Sequence, residues 1–166
     1  MKNITQKILI LTIVSTFLFS CSNDDSEEMN LSQRSNDITV TYSEMENEII
    51  SIINTYRADK GLSKLNTYNI VSGEAQSHTE YMVETGEVNH ANFGVRHQNL
   101  VAFASAKSVA ENVAYGYSSA QAVVNAWINS EGHRKNIENG DFTDFGISTE
   151  SNSEGRNYFT NIFIKR

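Results

Sequence analysis

Tyr158-Phe159-Thr160-Asn161-Ile162-Phe163-Ile164, close to the C-terminal end of the chain, decides the architecture. Read with the period of two that a strand imposes, Tyr158, Thr160, Ile162 and Ile164 point to one face, and Phe159, Asn161 and Phe163 to the other. Both sets carry large apolar groups. Both faces of this strand must therefore be covered, which a single layer of helices cannot do. Phe145 to Thr149 is a natural antiparallel partner through a turn at Ser151 to Gly155, and Val109 to Tyr115 makes a third strand. A small, mainly antiparallel sheet buried on both sides predicts an α+β fold, a three-layer α-β-α sandwich.

The helices that would form the outer layers are legible upstream. Ser43 and Glu46 spell a capping box, and Met45, Ile49, Ile52, Ile53 and Tyr56 recur at helical spacing until Gly61 supplies a stop. A second helix is expected from about Ile70 to Thr85, with Val71, Ala75, His78 and Met82 on one side and Gly86 at its end. A third covers Gly94 to Ser105. A fourth begins after Ser118-Ser119 and turns Ala122, Val123, Ala126 and Trp127 inward, making Trp127 a structural anchor. No internal repeat is present.

The N-terminus speaks to location. Lys2 and Lys7 precede an apolar run from Ile8 to Phe19, well short of the ~20 residues a membrane-spanning helix needs. It reads as a signal peptide over residues 1–20. The small residue Ser20 before Cys21 resembles a lipobox, so Cys21, the only cysteine of the chain, is expected to carry the lipid and to leave no thiol for a disulfide or a metal site. Residues 21–42, with Asp24, Asp25, Glu27 and Glu28, are too polar to offset the entropy of ordering and are expected to form a flexible tether. Residues 43–166 then form one domain, of a size suited to a single core. The expected location is the outer membrane of a bacterium, facing the periplasm or the cell surface, with the lipid as the only membrane attachment.

Charge narrows the partners. The chain carries a formal −7, and removal of the leader with Lys2 and Lys7 makes it more acidic still. Phosphate backbones are bound chiefly by Lys and Arg, so nucleic acid is not an expected partner.

Two carboxylates and two histidines stand where a site can form. Glu111 shares a strand face with Val109, Val113 and Tyr115, which aims a carboxylate where apolar groups point, and a buried carboxylate needs a partner. The alternative is an edge position where the acid reaches water. Glu131 and His133 are two residues apart and would lie on opposite sides of a helix, but Gly132 between them can end the helix and let them converge. Otherwise His133 and Arg134 simply complement the negative end of a helix. His90 sits in the polar loop Val88-Asn89-His90-Ala91-Asn92, which no core pattern explains. His78 reads as a hydrogen-bonded core histidine, and His97, in an exposed-looking segment beside Arg96, is given no role.

Taken in order, Asn54-Thr55-Tyr56-Arg57-Ala58, Gly61-Leu62, Leu65, His78-Thr79, Met82, Asn89-His90, Glu111-Asn112-Val113-Ala114, Ala126-Trp127, Ser130 to Ile137 and Phe145-Gly146-Ile147 resemble the bacterial branch of the CAP superfamily. This is the cysteine-rich secretory protein, antigen 5 and pathogenesis-related 1 group, also called SCP domains, and the resemblance spans roughly Ser43 to Arg166. It implies the same α-β-α sandwich. It also implies that His90, Glu111, Glu131 and His133 match a His-Glu-Glu-His tetrad, with His90 and His133 as ligands of a divalent cation, zinc first, and Glu111 and Glu131 supporting them. Asn54 and Arg57 match the family's first-helix pattern, a structural role. The disulfides of the eukaryotic members are missing, and the segment between Glu131 and His133 is much shorter than theirs.

Three classes of function follow. The first is an envelope-anchored binding module whose cavity takes a small ligand, a lipid, a glycan or an envelope or host protein. The second is a metal-dependent hydrolase, protease-like, in which an open metal position holds water and Glu111 or Glu131 is the general base. The third is a scaffold with a vestigial site. Neither an HExxH helix nor a GxSxG elbow is present in the sequence.

Overall fold

The computed structural model describes residues 39–166. The expected leader, the lipidated Cys21 and nearly all of the tether lie outside the described residues. The chain folds as α1 (Glu44–Asp59), β1 (Asn66–Thr67), α2 (Asn69–Thr85), α3 (Phe93–Ala104), β2 (Ser108–Tyr115), α4 (Ala120–Asn129), α5 (Glu131–Glu138), β3 (Asp144–Ser151) and β4 (Asn157–Lys165). The α1 capping box is present in full, with Ser43 and Glu46 serving each other's backbone N–H groups. Ser119 caps α4 with its side chain alone, which accepts from the Ala122 N–H. The ordered domain reaches back slightly past Ser43: Tyr42 packs on the core beside α1, and its hydroxyl lies 2.7 Å from Ser72 Oγ.

The strand order is β1-β3-β4-β2, with β3-β4 and β4-β2 antiparallel and β1 parallel to β3. The sheet is thus mixed rather than purely antiparallel. Two residues, Asn66 and Thr67, make the whole of β1, which is too short for any hydrophobic period to announce it.

β4 is the central strand and behaves as its alternation demands. Phe159 and Phe163 face a core built from Ile49 and Ile53 of α1, Val123, Val124 and Trp127 of α4, Ile137 of α5 and Phe145 and Ile147 of β3. Ile162 and Ile164 face Ile70, Val71 and Ala75 of α2 and Leu100 and Ala104 of α3. The helices thus form two layers, α1, α4 and α5 on one side and α2 and α3 on the other. Trp127 is 1% exposed, stands edge-on to Phe159 and donates its indole N–H to the Val113 carbonyl at 3.2 Å. Such a residue combines a large apolar burial with a satisfied polar group. On the other face α2 lies so close to β3 that a Cβ at Gly146 would collide with the backbone of Val71 and Ser72. Only glycine permits that approach.

β2 is an edge strand, and this places the candidate site. Val109 and Val113 pack with the α2–α3 side, so Glu111 shares that face, while Ala110 and Ala114 pack with the α1–α4–α5 side.

Candidate functional site

Glu111 is the hub. Its side chain is 1% exposed despite its edge strand, so the alternative of an acid reaching into water is not what the fold adopts. Arg96, one helical turn into α3 and itself buried, grips it with both arms of the guanidinium: Nε donates to Oε2 at 2.7 Å and Nη2 to Oε1 at 2.8 Å. This is the planar two-point pairing that arginine forms with carboxylates, and it is well suited to a buried charge pair. Oε1 also meets His90 Nδ1 at 2.8 Å. A carboxylate can only accept, so the His90 Nδ1 carries the hydrogen and donates it.

His90 is held on both sides. The carbonyl of Asn89 accepts from His78 Nε2 at 2.8 Å, and the carbonyl of Ala91 accepts from Arg96 Nη1 at 2.7 Å. His78 is buried, stacks on Tyr81 and lies with Nε2 3.8 Å from Glu111 Oε1. Burial pushes its imidazole below the ordinary histidine range, against a partial offset from Asn89 and Glu111. The His90 ring itself remains 52% exposed at a hollow of about 280 Å³ that it lines with Phe93, Val109, Ala110 and Glu111.

His133 comes from the opposite layer. The chain breaks at Ser130, where α4 ends and α5 begins, and not at Gly132, which lies inside α5. Glu131, Gly132 and His133 therefore occupy one continuous helical turn, and residues two apart on a helix diverge. Glu131 points outward. Its side chain is 72% exposed and pairs with Lys135 at 2.7 Å, so the convergence of Glu131 with His133 expected from a break at Gly132 does not occur. His133 is half-buried, and burial together with the neighbouring His90 pushes its imidazole below the usual range. The α5 backbone is tied to β2 by Asn112, whose Nδ2 donates to the His133 carbonyl at 3.1 Å, and by Asn136, whose Nδ2 donates to Asn112 Oδ1 at 2.8 Å.

The first-helix residues act at a distance from this hub. Asn54 pairs with both backbone groups of Leu65, and Arg57, fully buried, donates to the carbonyls of Ser63, Ile137 and Asn139. Arg57 thereby closes the C-terminal end of α5. His97 stands edge-on to Phe93 and takes no part in the hub.

The structure thus joins His90 and Glu111 directly, brings His133 into electrostatic range of His90, and leaves Glu131 outside. Three residues absent from the sequence-derived set complete the site: Arg96, His78 as a clamp, and Asn112. Arg96 carried one readable signal, a cation 15 positions before a carboxylate that needed a partner. Nothing in the spacing singled it out from the other basic residues.

Metal-binding capacity follows from the donor set. Among the described residues no group of three or more His, Cys, Asp or Glu side chains is arranged to hold a metal ion. Glu111 is taken up by Arg96 and His90, and Glu131 by Lys135. What is left is a pair of imidazoles, His90 through its unengaged Nε2 and His133. Two imidazoles are too few for a closed structural zinc with four protein donors.

A three-layer α-β-α sandwich is the arrangement the resemblance implied, and comparison with known proteins agrees on that fold. Residues 50–163 match the model of the CAP, or cysteine-rich secretory protein, family, and the chain belongs to that family. It is similar to the uncharacterised membrane protein YlbC of Bacillus subtilis, 34% identical over 124 residues. That match covers 73% of this chain but only 34% of YlbC, so the chain spans about a third of that relative. Among solved structures it is similar to an outer surface protein from Borrelia burgdorferi, with a TM-score of 0.69 at 24% identity, covering 76% of this chain and 96% of the other. It is also similar to NaASP2, solved with Zn2+, with a TM-score of 0.55 at 13% identity over 74% of this chain and 80% of the other. Among the described residues no helix is long and apolar enough to cross a membrane.

Proposed function

We propose that this CAP domain is a binding module displayed on a bacterial envelope, tethered through a lipid on Cys21, and that His90 and His133 present a divalent cation, zinc first, to its ligand. The observation that carries the reading is the state of Glu111. Both of its oxygens are engaged by Arg96 and His90, so it orients an imidazole instead of standing free as a base. A histidine that donates one ring N–H to a carboxylate and offers the other nitrogen outward is the usual arrangement of a metal-binding imidazole. The lowered pKa of His133 favours the neutral ring that coordination requires. A bound ion would supply Lewis acidity and an anchoring charge at the hollow beside Phe93.

The hydrolase reading has weaker support. It needs a carboxylate facing an activated water, whereas Glu111 is saturated and Glu131 faces solvent. The acidic charge of the chain favours a neutral or cationic partner over a polyanion.

Calorimetric titration of the purified protein with Zn2+ tests the proposal. Wild type is expected to bind with an affinity that the His90→Ala, His133→Ala double variant loses. Equal affinity in the two proteins would reduce the site to a scaffold feature. Release from membranes by Cys21→Ser is expected if the anchor is the lipid, and unchanged detergent partitioning would count against it.

A further inference from the structure

Arg96 does more than neutralise a buried acid. Its three nitrogens divide between two structures that together define where His90 stands: Nε and Nη2 hold Glu111 at 2.7 and 2.8 Å, and Nη1 holds the Ala91 carbonyl at 2.7 Å. Glu111 in turn takes the His90 Nδ1 hydrogen, and Ala91 is the next residue of the His90 loop. One side chain therefore fixes the carboxylate that orients the ring and the backbone that carries it.

The geometry points to Arg96 as the positioning residue of this site, holding His90 in the Nδ1–H tautomer with Nε2 presented to the hollow. The inference rests on the reading of His90 as a ligand-facing histidine, and Arg96 itself would touch no ligand. Three features separate this role from ordinary structural pairing. Arg96 is 6% exposed, so its contacts are shielded from water and salt. Its fork locks both oxygens of Glu111, so that Oε1 faces His90 in a single orientation. Lysine, a point charge without a fork, cannot hold both oxygens and the Ala91 carbonyl at once.

The test uses the full chain labelled with ¹⁵N, at a pH of about 9 where a free imidazole is neutral. Long-range ¹⁵N–¹H spectra report which ring nitrogen of His90 carries the hydrogen, and His90→Gln assigns the signal. Wild type is expected to show Nδ1–H alone. Arg96→Gln and Arg96→Lys are expected to give a mixture of tautomers and about a ten-fold or greater loss of Zn2+ affinity. Two results would overturn the inference. One is an Nε2–H tautomer in the wild type, which is decisive even if neither variant folds. The other is variants that melt earlier but keep the wild-type tautomer and affinity, the behaviour of a purely structural arginine. If the tautomer results hold while wild type and the double histidine variant bind Zn2+ equally, Arg96 keeps its positioning role and only the metal reading fails.

Discussion

Arg57 and Arg96 are both buried guanidiniums, and the fold satisfies them in opposite ways. Arg57 meets only backbone carbonyls, those of Ser63, Ile137 and Asn139, and one of its nitrogens, Nη2, has no partner. Burial pushes its guanidinium below the ordinary arginine range because no carboxylate offsets the desolvation. Arg96 meets a full negative charge in a two-point pair. The first arrangement fixes one helix end against another and, being fully buried, presents no group to a ligand. The second takes up a carboxylate so that a neighbouring histidine is aimed outward. Burial and charge alone do not distinguish scaffold from site; the identity of the partner does.

The largest expected effect comes from breaking the second pair. Glu111→Gln leaves Arg96 buried without its counter-charge, and removing one partner of a buried ion pair typically costs ~3–5 kcal/mol. Urea denaturation should show a loss of that order, accompanied by loss of the single His90 tautomer. Arg57→Met should cost somewhat less, about 2–3 kcal/mol, since it strands carbonyl acceptors but no opposite charge. The protein that remains folded should keep the wild-type His90 spectrum. A change in that spectrum would show that the scaffold arginine also sets the site.

A smaller effect is expected from pH. His78 and His133 both have folded-state pKa values below the ordinary one. Below about pH 6.5 the unfolded chain therefore takes up protons that the folded chain refuses. The stability these groups contribute is complete above that pH and declines as the pH falls through it toward the folded values. Melting curves recorded between about pH 7 and about pH 5 should shift downward, and His133→Gln should flatten the slope. An unchanged slope would place His133 in a freely solvated position.

The smallest effect is expected at Glu131. Its pairing with Lys135 is an exposed pair one helical turn apart, and such pairs contribute about 0.3–0.5 kcal/mol at most. Glu131→Gln should change neither stability nor Zn2+ affinity measurably. A marked loss of affinity would bring Glu131 back into the cavity and restore the four-residue site.

Comparison of particular elements shows where sequence reading stops. The helix capped by Ser43 and Glu46 begins where the pattern places it, because a capping box is a local interaction. The third helix, expected over Gly94 to Ser105, spans Phe93–Ala104, an offset of one residue at each end. α5 is different: Gly132 looked like a break, yet the chain turns at Ser130 and glycine is carried inside the helix. A glycine permits a turn without requiring one, and the ties that Asn112 of β2 makes to the His133 carbonyl and the Asn136 side chain of α5 reward the helical path. That one difference removed Glu131 from the site.

The sequence by itself determined the features that depend on neighbours along the chain: the capped helices, the two-faced alternation of β4 and hence the three layers, and a carboxylate at Glu111 on an apolar strand face, either buried with a partner or open to water at an edge. Only the tertiary structure decided who that partner is. Arg96 and Glu111 belong to different elements, α3 and β2, and meet because both pack on one face of an edge strand. The same holds for β1, whose two residues are a strand only because β3 lies beside them. Periodicity records which face a residue turns to, whereas the contact made on that face is fixed by how separate elements pack. The chemistry of this site is such a contact.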